Sequence, residues 1–171
     1  MPVTIRPACE ADAEAYLALA CVLDAETKFM MLEPGERAAT VEETRKRIEG
    51  AILSGNGAIF VAENDPGELV GLLGAQGGAY RRNRRTVQIF VGILQAWAGQ
   101  GIGRQLFEHM ERWARAWGAR RLELTVMAHN QRGLTLYHKM GFTIEGRMRD
   151  ALLVDGQYVD EYIMAKILEE P

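Results

Sequence analysis

Cysteine is scarce in this chain, which has only Cys9 and Cys21 among its 171 residues. The separation of these two residues is not a metal-binding spacing, so we expect no metal site. A pair of reduced thiols is typical of a cytoplasmic protein, and we expect that location.

Long hydrophobic runs are also absent. The first residues, MPVTIRPACEAD, contain no apolar core of a signal peptide, and no stretch approaches the length that spans a bilayer. Neither sign of charge dominates, because 20 Lys and Arg residues oppose 23 Asp and Glu residues and leave a net charge of −3. We therefore expect no membrane partner and no general basic surface for nucleic acid.

The composition is that of an ordinary soluble globule. Hydrophobic residues make up 48% of the chain and charged residues 25%. A chain of 171 residues is long enough to bury a sizeable core, and we expect one domain over residues 1–171.

The most informative segment runs from Thr86 to Arg104, TVQIFVGILQAWAGQGIGR. Its first half is rich in β-branched residues and predicts a buried strand. Gly99, Gly101 and Gly103 follow in alternation, and then apolar residues recur at helical spacing. The first amides of a helix have no partner inside it, and glycines let an anion approach the backbone. The segment therefore predicts a phosphate site.

Three other interpretations of these glycines fit less well. A nucleotide-triphosphatase loop needs Gly-Lys-Ser/Thr, whereas Arg104 and Gln105 follow Gly103. The dinucleotide fingerprint G-x-G-x-x-G fails at Leu106, although Glu123 lies about 20 residues beyond the loop, where that fold places a ribose-binding acid. A purely structural turn is the third alternative.

The residues downstream favour one family. A predicted strand Leu122–Met127 is followed by Asn130, a helix containing Tyr137, and Gly141-Phe142. Taken together, VGILQAWAGQGIGRQLF … LELTVMAHNQRGLTLYHKMGF resembles the core of the GNAT superfamily of acyl-CoA N-acyltransferases. The resemblance covers roughly residues 2 to 168 and is closest to spermidine and ribosomal-protein alanine acetyltransferases.

One position departs from the family pattern. GNAT proteins carry Q/R-x-x-G-x-G/A at the pyrophosphate loop, and this chain has Ala98 at the first position. Because backbone amides do most of the anion binding, we expect Ala98 to weaken the site rather than abolish it.

The expected fold is α/β, with the element order β-α-α-β-β-β-α-β-α-β-β. We expect a mixed, mostly antiparallel central sheet of about seven strands, with helices on both faces. The resemblance implies that the strands before the glycine loop and before Asn130 lie parallel and splay apart. It also implies that the pantetheine arm of the cofactor enters the cleft between them.

The resemblance implies acetyl-CoA as a co-substrate. The loop residues assigned to it are Gly99, Gln100, Gly101, Ile102, Gly103 and Arg104, although Arg104 is also interpretable as a solvated helix residue. An amide near Ile93 or Leu94 would stabilise the carbonyl oxygen. Asn130 would contact the cofactor arm, cap the following helix, or do both.

Tyr137 occupies the position of the family's catalytic tyrosine, the general acid to the CoA thiolate. A phenol has a pKa near 10 and an alkyl thiol one near 8.5, so full proton transfer is uphill in water. We therefore expect a hydrogen bond to the developing thiolate to contribute more. The alternative is a core aromatic beside Leu134 and Met140.

The acceptor amine must lose a proton, because an ammonium with a pKa near 10.4 is neutral in only about one molecule in a few thousand at pH 7. A general base is expected. The candidates are Glu26, Glu33, Glu123, His129, Asp160 and Glu161, and the sequence does not choose among them.

In the family, the acceptor is recognised by the first two helices, the loop between them and the last strands. Here the loop between the first two helices is ETKFMMLEPGERAAT, in which the apolar residues 29–32 lie among Glu26, Glu33 and Glu36. An apolar pocket with an acidic rim would suit a cationic amine. The last segment, MRDALLVDGQYVDEYIM, is similar to the closing hairpin of spermidine and ribosomal-protein alanine acetyltransferases, and this similarity implies a polyamine, an amino-acid-like amine or a protein N-terminus as acceptor. The basic cluster Arg81, Arg82, Arg84 and Arg85 would contact cofactor phosphates, an acidic partner or only water.

A different class of function is also compatible with this fold, namely a catalytically silent acyl-CoA-binding sensor or interaction domain. Ala98 favours it, whereas Tyr137 and Asn130 oppose it. A longer acyl-CoA donor or an alcohol acceptor is a further variant. The last strands would permit a homodimer through an exposed edge at residues 158–164.

Overall fold

Local signals set the boundaries of the elements. Before the second helix, the Thr40 side chain accepts from the Glu43 amide at 3.1 Å, and the Glu43 carboxylate accepts from the Thr40 amide at 2.7 Å. This capping box satisfies amides that a helix start leaves unpaired. Gly55, with φ 69°, ends the same helix in the left-handed conformation.

The computed structural model describes residues 3–169, so Met1, Pro2, Glu170 and Pro171 of the expected domain lie outside the described residues. The order of elements is the one expected from the sequence. The elements are β1 (Thr4–Pro7), α1 (Ala13–Glu26), α2 (Val41–Ser54), β2 (Gly57–Glu63), β3 (Leu69–Gly77), β4 (Thr86–Ile93), α3 (Ile102–Trp117), β5 (Arg121–Met127), α4 (Gln131–Lys139), β6 (Thr143–Val154) and β7 (Gln157–Ile167).

The strands form one seven-stranded sheet in the order β1-β2-β3-β4-β5-β7-β6. β4 and β5 pair in parallel because α3 connects them as a crossover, whereas the neighbouring strands pair antiparallel. Asp155 and Gly156, with φ 49° and 77°, make the tight turn between β6 and β7. The expected mixed, mostly antiparallel sheet is confirmed.

Helices cover both faces of the sheet, as expected. In β2, Ile59 and Val61 pack toward α1 and α2, and Phe60 and Ala62 pack toward α3. This alternation follows from the two-residue period of a strand. We call the two sides the α1/α2 face and the α3/α4 face.

The parallel pair β4–β5 separates soon after it begins. Its ladder covers only Thr86–Gln88 against Arg121–Glu123, and the two strands diverge beyond those residues. The strand ends before the glycine loop and before Asn130 therefore stand apart and open a passage between the two faces. Within residues 3–169, no helix is both long and apolar enough to cross a bilayer.

Candidate active site

A cleft of about 1460 Å³ lies where β4 and β5 separate. Its wall on the α3/α4 face includes the glycine loop and residues of α4. Its wall on the α1/α2 face includes Tyr16, Arg37, Arg47 and the apolar residues 29–32. We call the part of the cleft beside the glycine loop and α4 the cofactor half, and the part beside Tyr16, Arg37, Arg47 and residues 29–32 the acceptor half, after the roles predicted from the sequence.

The glycine loop lines this cleft through Gly99, Gly101 and Gly103. Gly99 and Gly101 have φ 80° and 82°, and a Cβ added at either position would meet no atom within 4 Å. The first hydrogen bond of α3 runs from the Gln105 amide to the Gly101 carbonyl at 3.1 Å. In the part of the chain that the structure describes, the amides of residues 99–104 have no hydrogen-bond acceptor. Such a run of free donors at a helix start fits an anion.

The side chains of this loop have other tasks. Gln100 donates from Nε2 to the Ala96 carbonyl at 3.2 Å, and Ile102 is buried in the core. A Cβ on Gly103 would lie 2.8 Å from Cδ2 of Leu136, so this glycine lets α3 pack closely against α4. Gln100, Ile102 and Gly103 therefore offer the cleft their backbone amides rather than side chains.

Basic side chains surround the cofactor half. Arg104, Arg132 and Lys139 line the cleft. The Arg104 side chain is 71% exposed, and its Nε lies 3.4 Å from Oε1 of Glu108. The sequence reasoning missed Arg132 and Lys139, because a helix pattern does not distinguish them from solvated basic residues. Arg81, Arg82, Arg84 and Arg85 lie before β4, at the end opposite the glycine loop and roughly 25 Å away along the strand.

The two amides proposed for the carbonyl oxygen differ in their partners. The Leu94 amide donates to the Val70 carbonyl at 3.0 Å. Ile93 pairs with Gly71, and bonded and non-bonded pairs alternate along an antiparallel ladder. The Ile93 amide therefore points away from β3, toward the side where β5 has separated, and Ile93 lines the cleft.

Tyr137 lies in the cofactor half of the cleft. Its ring packs edge-on against Phe107 with centroids 5.8 Å apart and lies 6.4 Å from the ring of Phe142. Burial raises the pKa of Tyr137 to about 12. Tyr137 belongs to the hydrophobic core and also lines the cleft. Its position is therefore compatible with both interpretations from the sequence, a core aromatic residue and a residue that reaches the cofactor.

Asn130 caps α4. Its Oδ1 accepts from the Gly133 amide at 2.9 Å, and the residue also lines the cleft. The cap uses the oxygen of the amide and leaves Nδ2 as a donor for another group.

Of the six candidate bases, Glu161 lines the cleft and the other five do not. Three of these five have a partner elsewhere: Glu26 accepts from the Gln95 amide at 2.7 Å, Glu123 pairs with Arg121, and Asp160 pairs with Arg147. The His129 ring lies against the Phe29 ring, and Glu33 is exposed. Glu161 is only 8% exposed, and no hydrogen bond to its carboxylate is found within residues 3–169. Its neighbour Met127 in β5 places it on the α1/α2 face.

The acceptor half has a different charge pattern from the one expected. The apolar residues Phe29, Met30, Met31 and Leu32 line the cleft, whereas Glu26, Glu33 and Glu36 do not. Glu36 instead accepts from the Glu33 amide at 2.8 Å. The basic residues Arg37 and Arg47 occupy this wall, and no sequence signal separated them from the solvated face of a helix or loop.

A sequence model of the acetyltransferase (GNAT) family matches residues 23–142. The chain belongs to the GNAT family. The resemblance stated from the sequence is thereby confirmed.

Two known proteins are 30% identical to this chain over the aligned residues. One is L-amino acid N-acetyltransferase AaaT of Escherichia coli, 30% identical over 105 residues, which are 59% of this chain and 63% of AaaT. The match thus spans less than two thirds of that relative. The other is a GNAT acetyltransferase from Streptococcus pneumoniae, whose crystal structure covers 98% of this chain and 100% of its own at a TM-score of 0.94 and 30% identity.

A more distant GNAT structure shows the same fold. It is a phosphinothricin acetyltransferase from Sinorhizobium meliloti in complex with acetyl-CoA, with a TM-score of 0.85 at 21% identity. The match covers 99% of this chain and 90% of that protein. In residues 3–169, no group of three or more His, Cys, Asp or Glu side chains is placed to hold a metal ion.

Proposed function

We propose that this GNAT protein is an acetyl-CoA-dependent N-acetyltransferase that moves an acetyl group to a primary amine by direct attack. The acceptor class is a polyamine, an amino-acid-like small molecule or a protein N-terminus. The observation that carries the proposal is the run of unpaired amides at residues 99–104, beside the cleft that Tyr137 lines.

The residues present fit acetyl-CoA. Unpaired amides at the start of α3 suit a pyrophosphate, and Arg104, Arg132 and Lys139 add positive charge around it. The gap between β4 and β5 leaves the Ile93 amide free to donate to the pantetheine arm or to a carbonyl oxygen. When bound, acetyl-CoA supplies the thioester carbonyl that the amine attacks.

Three groups of the chain then divide the chemistry. The Ile93 amide donates to the oxygen that becomes negative in the tetrahedral intermediate, a contribution of about 3 kcal/mol for a preorganised donor. Glu161 takes the proton of the amine, directly or through water. The Tyr137 hydroxyl donates to the departing thiolate, because its raised pKa keeps it protonated.

The first test is calorimetric titration of the purified protein with acetyl-CoA. Thiol release is then followed with spermidine, amino acids and short peptides. Micromolar binding with amine-dependent thiol release supports the proposal. Binding without turnover on any amine supports the acyl-CoA sensor instead, and absence of binding contradicts the assignment of residues 99–104 to a pyrophosphate.

We also propose a homodimer in the cytoplasm. Residues 158–164 are not the free edge expected from the sequence, because β7 pairs with β5 on one side and β6 on the other, and β6 is the edge strand. Leu153 of β6 and Tyr158 beside the hairpin turn are 59% and 68% exposed, which supports an interface between two copies at this hairpin. Cys9 and Cys21 are free and exposed, as fits a reducing compartment. Light scattering after size exclusion tests the dimer: a mass near 19.1 kDa would contradict it.

A further inference from the structure

We infer that the acceptor amine also carries a carboxylate, and that Arg47 recognises this carboxylate on the wall of the cleft opposite Glu161. The inference rests on the proposed acetyltransferase function and selects one of its acceptor classes. It assigns Arg47 as the residue that determines acceptor specificity.

Arg47 is a positive charge without a counter-ion. It lies on α2 and lines the cleft, with its guanidinium carbon 5.3 Å from the centroid of the Phe90 ring. Among the residues that the structure describes, no acidic group pairs with it and no hydrogen bond uses its donors. A guanidinium over an aromatic face keeps its N–H groups in the plane and available. Such a planar fork matches a carboxylate in a two-point contact.

Arg37 is on the same wall but is already neutralised. It donates to both oxygens of Asp24 at 2.7 and 3.0 Å, and Asp24 is only 2% exposed. This pair attaches the 27–40 segment to α1. Removing Arg37 would leave a buried carboxylate unpaired, so its charge serves the fold.

Tyr16 lines the same cleft as Arg37 and Arg47. Burial raises the pKa of its phenol, and the positive charges of Arg47 and Arg37 oppose that rise. With Arg37 neutralised by Asp24, Arg47 carries the excess positive charge next to the Tyr16 phenol.

Glu161 carries the opposite charge on the other side of the gap. It lies on β7, and Arg47 lies over Phe90 of β4, with β5 between those two strands. Two strand spacings correspond to about 10 Å, and the separation of β4 from β5 adds to that distance. The amine and carboxylate of an amino acid lie within about 3–4 Å of each other. With the carboxylate on the Arg47 guanidinium, the amine reaches Glu161 through a bridging water molecule.

The other two acceptor classes match this charge pattern less well. A polyamine carries several positive charges and would meet the unpaired guanidinium of Arg47. A protein N-terminus presents an ammonium to Glu161 but places neutral peptide groups where the carboxylate would be. An amino acid offers a carboxylate to Arg47 and an amine to Glu161.

The test compares matched acceptors with acetyl-CoA as donor. The twenty common L-amino acids are each paired with the corresponding carboxamide, and spermidine is added. For wild type we expect kcat/KM to be about 10- to 100-fold higher for the preferred acid than for its carboxamide, the range for charge-assisted hydrogen bonds. In Arg47→Gln we expect that preference to disappear through a higher KM for the acid. Arg47→Lys, which keeps the charge but not the fork, should fall between them.

Lys46→Gln is the matched control, since it removes the same charge from an exposed neighbour on α2 that does not line the cleft. It should keep the preference, and circular dichroism with acetyl-CoA titration confirms that each variant is folded. Equal use of acids and carboxamides, preference for spermidine, or an equal loss for both in Arg47→Gln would overturn the inference and leave the acetyltransferase intact. No turnover with any amine despite acetyl-CoA binding would overturn both.

Discussion

Tyr137 is a single residue whose chemistry is set by its surroundings. Phe107 and Phe142 pack on its ring, and burial raises the pKa of its phenol to about 12. A phenol that stays neutral cannot accept a proton at physiological pH but can donate a hydrogen bond. The structure therefore supports the donor role over any role as a base.

We predict that Tyr137→Phe lowers kcat about 10- to 100-fold, the range for a hydrogen bond to a charged group. The affinity for acetyl-CoA should change little, because the ring and its packing remain. Thiol-release kinetics measure kcat, and calorimetric titration measures the affinity for acetyl-CoA. Tyr80→Phe, at a position that is 76% exposed and outside the cleft, is the control and should match wild type.

The pH profile gives a second test of the same residue. Between pH 7 and 10 the rate should rise as the acceptor amine loses its proton. Ionisation of Tyr137 should not lower the rate in this range, because its phenol stays protonated until the pH approaches 12. The Tyr137→Phe profile should therefore be lower but of the same shape. A fall in the wild-type rate near pH 10 that disappears in the variant would show that the phenol ionises at its ordinary pKa.

At the scale of elements, the glycine loop works through backbone conformation. Gly101 begins α3 with φ 82°, a region where an L side chain costs about 1–2 kcal/mol. The amides that follow it, up to residue 104, have no hydrogen-bond acceptor in the part of the chain that the structure describes. We therefore expect the conformation of Gly101 and the proposed anion binding to be linked.

We predict that Gly101→Ala destabilises the protein by about 1–2 kcal/mol and also weakens acetyl-CoA binding. Gly67→Ala is a close control, because Gly67 has φ 83°, equally open space and a place in the β2–β3 turn. It should show the same loss of stability with unchanged binding. Thermal unfolding and calorimetry measure both, and equal affinities for the two variants would contradict the anion role of the loop.

At the scale of the whole molecule, the sheet couples the two cores. Alternate residues of β2 contribute to the core on each face, so neither core can be lost without exposing the sheet that supports the other. We therefore propose that residues 1–171 unfold as one domain.

We predict coincident unfolding transitions by far-ultraviolet circular dichroism and tryptophan fluorescence. Trp97, Trp113 and Trp117 all pack on the α3/α4 face, so their fluorescence reports one core. Ile48→Ala removes a side chain that is 1% exposed on the other face and should cost about 2–5 kcal/mol. Both signals should shift together. A tryptophan transition that stays in place would indicate two independent units.

The sequence by itself determined the order of elements, the glycine loop that precedes α3, and the places of Asn130 and Tyr137 before and within α4. These depend on local properties, namely hydrophobic period, capping residues, glycine conformation and motif spacing, which act over a few residues. They were sufficient to predict the mixed sheet, and the family followed from the resemblance of the glycine-loop and Asn130–Phe142 motifs to GNAT proteins.

Only the tertiary structure decided which groups share the cleft. Strand register leaves the Ile93 amide free and engages that of Leu94. Long-range pairing occupies Glu26 and Asp160 but leaves Glu161 in the cleft, and it neutralises Arg37 but not Arg47. A charged residue looks the same in sequence whether it meets a partner, a ligand or water, because its partner comes from a distant part of the chain.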